Sequence, residues 1–324
     1  THEITDWLGV YVEGQGVQRT FSSRFVTQGS SSLNTSFAVP NTNPYFIRPT
    51  GSTATTETIQ YSFLPDFGPL MSYGFDETYN VAAGFNFSLP ARWKVTLGGV
   101  LGRNRAQSTN STIDTPSLTA ARTSTSTATA LNPYGVGLNS AAVINSIMSG
   151  IFKPDGLNKL NSMELRGDGP LFAMPGGEAR AAIGAEVVHT SFVGGTTRGT
   201  VAVPTFTQTS VSRTVKSGYA ELYLPLVGAG NARAGLRSLS LSLAARLDNY
   251  DTFGSTTNPK YGVTWEPVQG VELHASYGTS FRAPNLNDTV LLKPGAAVSG
   301  NTRIDPLAGN VAVPVVLLNF GNPS

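Results

Sequence analysis

Charged residues in the C-terminal half are the first candidates for binding chemistry. Arg246 and Asp248 stand two positions apart, and Arg282 follows in a later segment of similar pattern. If these segments are strands, all three side chains lie on the polar face near the same end of the sheet. Arginine can hold a carboxylate ligand through two parallel hydrogen bonds. The alternative, which we favour, is an internal ion-pair ladder with a structural role.

A second group of candidates lies in long segments rich in Ser, Thr, Asn and Gly. Tyr45 and Arg48 belong to the first of these segments, and Tyr134 belongs to the second. Loops held by a rigid scaffold often carry binding residues, so these side chains are plausible ligand contacts. Alternatively, they only pack their loops together. Neither segment is aromatic enough to indicate a sugar platform or basic enough to indicate a ferric-siderophore site.

The sequence carries no signal of an enzyme. It has no nucleophile elbow and no phosphate loop. The absence of cysteine excludes disulfides and thiolate chemistry. His2, His189 and His274 fall in separate segments without the spacing of metal ligands. We therefore predict no catalytic residue, no metal and no cofactor.

One glycine-rich motif imitates a nucleotide-binding fingerprint. Residues 135–140 read GVGLNS, but the dinucleotide motif requires a third small residue, a preceding buried strand and a later acidic residue. The segment before this motif is rich in Thr, Ser and Ala instead. We predict an ordinary loop, followed by a short helix at residues 140–149.

The composition excludes several classes of protein. Charged residues make up 13% of the 324 residues and the net charge is +2, whereas about 25% is usual for soluble domains. A membrane helix needs about 20 apolar residues, and the longest apolar run, residues 311–318, is interrupted by Pro314. Helical spans are therefore excluded, and the balanced, unclustered charge argues against a nucleic-acid partner.

Alternation of apolar and polar residues is the strongest structural signal. In residues 237–250, apolar side chains occupy every second position from Leu239 to Leu247, Ser, Ala and Arg lie between them, and Asp248 continues the polar set. The same pattern recurs at 78–89, 93–101, 218–224 and 271–282. It lasts about 10–14 residues, which is closer to the 9–11 of membrane-barrel strands than to the 5–6 of soluble domains. One face would contact lipid and the other a hydrated interior.

The connections between these segments alternate between two kinds. Short ones lie near residues 89–92, 174–178, 226–235 and 266–270, and long ones near 21–72, 106–157 and 194–212. Aromatic residues flank the short ones at Phe87, Trp93, Phe172, Tyr223 and Trp265. Tight periplasmic turns, long outer loops and an aromatic girdle are typical of outer-membrane barrels. Counting from a partial strand at 7–19, we predict about nine strands.

Several stretches resemble the barrel of TonB-dependent outer-membrane receptors. They are GYAELYLPL at 218–226, RLDNYDTFGSTTNPK at 246–260, YGVTWEP at 261–267 and ASYGTSFRAP at 275–284. GPLFAMPGG at 169–177, followed by AIGAE, is similar to a periplasmic turn of the same family. The likeness covers roughly residues 73–284. We therefore expect an all-β, antiparallel transmembrane barrel.

The resemblance implies a 22-stranded barrel closed by an N-terminal plug domain. Such receptors lie in the outer membrane of Gram-negative bacteria, surrounded by lipid. They bind a scarce small-molecule nutrient, such as a ferric siderophore, cobalamin or an oligosaccharide. Energy comes from the TonB–ExbB–ExbD complex through an N-terminal region. We expect residues 1–324 to be the middle part of one such barrel domain, without the plug and the C-terminal strands.

Two other functions stay open from the sequence alone. A passive outer-membrane porin would also have alternating strands and a polar interior, but it would need no plug. A soluble extracellular adhesin or lectin-like module would bury the apolar face against a second sheet instead. Strand length argues against this last alternative.

Overall fold

The computed structural model describes residues 2–25, 33–286 and 299–317, and this part of the chain consists mainly of long antiparallel strands. The strands are β1 (His2–Thr5), β2 (Leu8–Phe25), β3 (Asn34–Pro40), β4 (Thr56–Ser62), β5 (Leu70–Ser88), β6 (Lys94–Thr112), β7 (Gly150–Met174), β8 (Gly177–Thr200), β9 (Pro204–Val227), β10 (Ser238–Tyr250), β11 (Gly254–Val268), β12 (Val271–Gly278), β13 (Ser299–Asp305) and β14 (Val311–Leu317). Three short helices are α1 (Leu64–Phe67), α2 (Thr115–Thr123) and α3 (Ala141–Ile147). None of the helices in these ranges has the length and apolar character needed to cross a membrane.

Ten of the strands form a single antiparallel sheet. Its order is β1-β2-β5-β6-β7-β8-β9-β10-β11-β12, so each strand pairs with its neighbours along the chain apart from the β3–β4 insertion. The end strands β1 and β12 do not pair with each other within the described residues. The all-β prediction is confirmed, and the strand missing from the predicted nine is β1, which forms a hairpin with β2.

The register gives the sheet one apolar and one polar face. Leu243 lies opposite Leu222 of β9 and Tyr261 of β11, while Arg246 lies opposite Tyr219 and Asn258. Residues directly opposite in an antiparallel pair point to the same side of the sheet. The alternation seen within each strand therefore continues from strand to strand, and we call the two sides the apolar face and the polar face.

The middle strands are much longer than predicted. β7, β8 and β9 have 25, 24 and 24 residues, so the expected long loop at 194–212 is wrong. Only residues 201–203 connect β8 to β9. Toward the long-loop end, Ser, Thr and Gly occupy positions on both faces of β8 and β9, so hydrophobicity no longer alternates regularly although the backbone ladder continues. The Ser, Thr and Gly content of residues 194–212 therefore resembles that of a loop, although most of these residues belong to β8 and β9.

The other predicted connections lie at the expected ends of the sheet. A 3-10 turn at Pro90–Arg92 joins β5 to β6, and short connections join β7 to β8, β9 to β10 and β11 to β12. Near this short-turn end, the indole nitrogens of Trp93 and Trp265 donate hydrogen bonds to backbone carbonyls at 3.1 and 3.0 Å. Tyr223 is an exception to the predicted girdle, because its register opposite Arg180 and Ser242 places it on the polar face.

The buried apolar core lies outside the sheet, in the two longest connections. Residues 33–69 and 113–149, which we call the cap, contain β3, β4 and the three helices. Phe63, Val39 and Ile147 are fully buried there, with Leu131 only 1% exposed. The helix predicted at 140–149 is present as α3, capped by the Ser140 hydroxyl. The preceding glycine motif is a loop, as predicted.

Polar contacts join the two halves of the cap. The Asn43 side chain, 2% exposed, donates to the backbone oxygens of Arg122 and Leu131 at 3.0 and 3.2 Å. Arg122 in turn donates to the carbonyl of Ala38 at 2.6 Å. Since buried polar groups are costly unless they are hydrogen-bonded, these bonds fix how the two connections pack on each other.

Candidate functional site

A hydrogen-bonded network centred on Arg246 lies on the polar face. Its guanidinium contacts Asp248 at 2.8 Å and Glu186 at 3.2 Å, and it donates to the Ser217 hydroxyl at 2.9 Å. Ser217 also donates to Asp248 at 2.6 Å. The register explains this convergence, because Ser217 lies directly opposite both Glu186 and Asp248 on its neighbouring strands.

Tyr219 extends the network to a fourth strand. Its hydroxyl donates to Glu164 of β7 at 2.8 Å, and its ring centre is 5.9 Å from the Arg246 guanidinium carbon. The ring lies across Gly184 of β8, where a Cβ atom would be 2.3 Å from it. A glycine at this point is therefore required for Tyr219 to reach Glu164 across β8.

The geometry favours the structural interpretation of Arg246. Two carboxylates and a hydroxyl already accept from its Nε and Nη2 atoms, which holds the guanidinium against its neighbours on the polar face. Asp248 is 8% exposed and is likewise held by neighbours on the same face. The structure brings Arg246 and Asp248 together on the polar face, as the sequence suggested. They form an ion-pair cluster within the ten-stranded sheet, which we call the wall.

Arg282 does not join this cluster. β12 ends at Gly278 and is separated from β10 by β11, so the expectation that Arg282 shares a strand face beside Arg246 is wrong. Its exposed side chain makes no hydrogen bond or ion pair among the described residues. The adjacent Phe281 packs against Tyr250 and Phe253, with ring centres 5.9 and 5.5 Å apart.

Arg213 is a polar-face residue that sequence reasoning missed. It is 7% exposed, and its guanidinium donates to the Pro284 carbonyl at 2.7 Å and to the Thr252 hydroxyl at 3.2 Å. It also lies 5.3 Å from the Phe253 ring, and its Nη2 has no partner among the described residues. A buried arginine held only by neutral groups is suited to an incoming anion. The sequence did contain a signal for its face. Arg213 is four residues from Ser217 on β9, and every second residue of a strand points to the same side.

The aromatic candidates of the cap connect its two halves. The Tyr45 hydroxyl donates to the Thr127 carbonyl at 3.1 Å. The Tyr134 hydroxyl donates to Glu57 at 2.7 Å and accepts from the Ile47 amide at 3.1 Å. These contacts support the packing alternative for both tyrosines. Arg48 differs from them, because its exposed side chain has no hydrogen-bond or ion-pair partner in the described ranges.

Tyr61 links the stability of the cap to pH. Its buried hydroxyl donates to Asp66 at 2.5 Å, and burial, followed by the hydrogen bond to this carboxylate, raises the pKa of Tyr61 far above its ordinary value. The unfolded chain would release this proton near pH 10. The folded cap retains it, so stability is fully present below about pH 10 and is lost at higher pH.

We therefore expect the cap to loosen above about pH 10, more strongly in the wild type than in Tyr61→Phe. The rate at which an alkaline-active protease cleaves residues 113–149 measures this difference. Tyr45→Phe serves as the control, because the Tyr45 hydroxyl donates to a backbone carbonyl and not to a carboxylate. Equal acceleration in the wild type and Tyr61→Phe would contradict the expectation.

The described residues contain no cluster suited to a metal ion. Within these ranges no three His, Cys, Asp or Glu side chains come close enough to hold a metal ion. The three histidines lie on β1, β8 and β12. His189 contacts the Thr214 hydroxyl at 3.0 Å, and His274 contacts Glu272 at 2.8 Å, so each of these two has a local role.

The comparison with known families agrees with this architecture. Residues 16–310 match the family described as TonB dependent receptor-like, beta-barrel. This match covers every strand from β5 to β13 and most of β2. A comparison with curated proteins gives no match. The family consists of outer-membrane receptors and transporters, not of enzymes. The family match covers most of the sequence, and the polar network across four strands and the apolar opposite face agree with it. This chain therefore belongs to the TonB-dependent receptor β-barrel family.

Proposed function

We propose that this chain forms part of the wall and the outer mouth of a receptor that imports a scarce nutrient with energy from the TonB–ExbB–ExbD complex. The observation that carries the proposal is the polar face of β7 to β10, with its network around Arg246. Such a face suits a hydrated interior, and the opposite face suits lipid. The cap lies at the long-loop end, where a ligand would arrive from outside the cell.

The proposed location is the outer membrane of a Gram-negative bacterium. The family supports this location, and so do the tryptophans at the short-turn end, since indole rings are enriched at membrane interfaces. In this orientation the short turns face the periplasm and the cap faces outward. The plug domain, the energising complex and the nutrient are the expected partners.

The nutrient class stays among siderophores, cobalamin and oligosaccharides. We propose Arg48 and Arg282 as ligand contacts, because both are exposed toward the long-loop end and neither has a side-chain partner among the described residues. Tyr45 and Tyr134 would instead position the segment that carries Arg48, through the bonds that join the cap halves. Arg246 and Asp248 would stabilise the wall beside the ligand path.

Uptake by cells tests this function. We expect deletion of the gene to abolish accumulation of one nutrient class in cells offered a labelled ferric siderophore, cobalamin or oligosaccharide separately. Loss of TonB should have the same effect, because the proposed transport is energised. Uptake that persists without TonB would support a passive porin instead and would overturn the proposal.

Variants of the complete receptor then test the ligand contacts. Arg48→Ala and Arg282→Ala should each weaken binding of the transported nutrient by about tenfold, the effect of losing one charge-assisted contact. Arg233→Ala is the matched control, because this arginine lies in the connection between β9 and β10 at the short-turn end. Unchanged affinity in both test variants would remove these two residues from the ligand path.

A further inference from the structure

A groove on the apolar face forms a second site, on the side of the sheet opposite to the Arg246 side chain. It has a volume of about 860 Å³, and its apolar lining includes Leu97, Met163, Leu165 and Val187. Met163, Leu165 and Leu247 contribute to it and are 61%, 51% and 51% exposed. The groove therefore offers an extended apolar surface that no described part of the chain covers.

Small residues create the floor of this groove. Ala185 of β8 and Gly218 of β9 lie directly opposite each other. Leu165 flanks Ala185, and Leu247 flanks Gly218, so the row across four strands runs from large to small to small to large. A Cβ atom added at Gly218 would meet nothing within 4 Å. An apolar depression left empty loses dispersion contacts, and a flexible acyl chain has the shape to restore them.

Polar side chains mark the end of the groove toward the cap. Lys216 stands two positions beyond Gly218 and lies opposite Asn249 of β10, and both contribute to the groove. Asn161 of β7 and His189 of β8 lie opposite each other one row further toward the long-loop end, and both also contribute to the groove. The change from apolar to polar therefore occurs within two successive rows across these four strands. Lys216 is exposed and has no acidic partner among the described residues.

A second pair of basic side chains lies on this face, one row further toward the long-loop end than Asn161 and His189. Arg103 of β6 and Lys159 of β7 lie directly opposite each other on the same face, just beyond Leu101. Both are exposed, and neither has an ion-pair partner in the described ranges. Like charges directly opposite in a sheet are destabilising. An anionic layer around the protein would relieve this repulsion.

We propose that the groove binds an acyl chain of a phosphate-bearing lipid of the surrounding membrane, with the phosphate at Lys216. This inference rests on the proposed function only in placing the apolar face against lipid. Charge complementarity selects an anionic lipid, because Lys216, Arg103 and Lys159 are all unneutralised at the outer edge of the apolar band. The lipid fills the space above Gly218 and Ala185 with its hydrocarbon.

Lipid retention by the purified, delipidated protein in detergent tests this site. The probes are phosphatidylglycerol and phosphatidylcholine with identical acyl chains, measured by native mass spectrometry. We expect the wild type to retain more phosphatidylglycerol, and Lys216→Gln to reduce this preference about fivefold, as expected for one basic side chain near a charged membrane surface. Lys260→Gln is the control, since Lys260 lies opposite Ala244 on the polar face.

A second variant tests the groove itself. Gly218→Leu adds a side chain in open space and should reduce retention of both lipids, whereas Lys216→Gln affects only the anionic one. The proposal is overturned if Lys216→Gln behaves like Lys260→Gln, or if Gly218→Leu retains lipid as the wild type does. Nutrient uptake separates the two proposals. If the wild type showed no TonB-dependent uptake, the proposed function would be refuted, while lipid retention by the same protein would remain intact.

Discussion

Replacing Phe63 with alanine is expected to unfold the cap while the long strands remain paired. Phe63 is completely buried, and its ring packs edge-on against Tyr61 with centres 4.8 Å apart. Loss of a buried phenylalanine side chain costs about 3–5 kcal/mol. The cap core is a small cluster of buried residues, so this cost is a large part of any stability it has. The wall has its own ladder of hydrogen bonds and should not depend on it.

Limited proteolysis and amide hydrogen exchange measure this result separately for the cap and the wall. In Phe63→Ala, residues 33–69 and 113–149 should exchange and be cleaved rapidly, while β7, β8 and β9 keep their protection. Phe67→Ala is the matched control, because Phe67 lies one helical turn away and is 37% exposed. Protection of the cap in Phe63→Ala equal to that in the control would show that the cap does not depend on this core.

Loss of the cap should also weaken nutrient binding. Tyr45 and Tyr134 hold the two connections together through bonds to Thr127, Glu57 and Ile47. Arg48 follows Ile47 directly, so its position depends on these bonds. The Phe63→Ala variant should therefore bind the nutrient less well although no proposed contact residue has changed.

Arg246→Met is expected to have the second largest effect, lowering the free energy of unfolding by about 1–3 kcal/mol. Without the guanidinium, Asp248 at 8% exposure and the nearby Glu186 lose their common cation. A buried carboxylate without a partner is costly. The Arg246 side chain is 43% exposed, so solvent screening keeps the loss well below that of a fully buried pair.

A double variant shows whether uncompensated charge is the cause. Asp248→Asn added to Arg246→Met should recover part of the lost stability, because the amide carries no charge and can still bond to Ser217. Arg180→Met is the control, since Arg180 and Asp168 are 49% and 54% exposed and such pairs contribute little. Denaturant titration measures all four proteins. Equal losses in Arg246→Met and Arg180→Met would contradict the role given to the network.

The local pattern of the sequence was sufficient to predict most of the sheet. Alternation from Leu239 to Leu247 identified a strand because apolar and polar surroundings meet on opposite sides of the chain. The short connections were found from Gly and Pro and lie where they were expected. The same signal failed at residues 194–212, since alternation disappears where Ser, Thr and Gly occur on both sides of a strand.

The candidate sites depended more strongly on contacts that are distant in sequence. Arg246 and Asp248 could be assigned to one face by parity alone, but their partner Glu186 is 60 residues away from Arg246 and is brought near by the register of two strand pairs. From the alternation, Arg282 was expected on the polar face of a strand, but that strand, β12, ends at Gly278. Arg213 was missed because its burial comes from Pro284 and Phe253, which lie in later segments.

The amino-acid sequence by itself determined the strand pattern, the two faces and the resemblance to TonB-dependent receptors, because each depends only on residues that are close together in the sequence. The tertiary structure alone decided that the two long connections fold into a cap around Phe63 and Ile147, segments about 80 residues apart. It also decided that Gly218 and Ala185 meet beneath an open groove. Such contacts have no local signal, since they depend on which strands pair, in what register, and on how loops of unrelated composition pack.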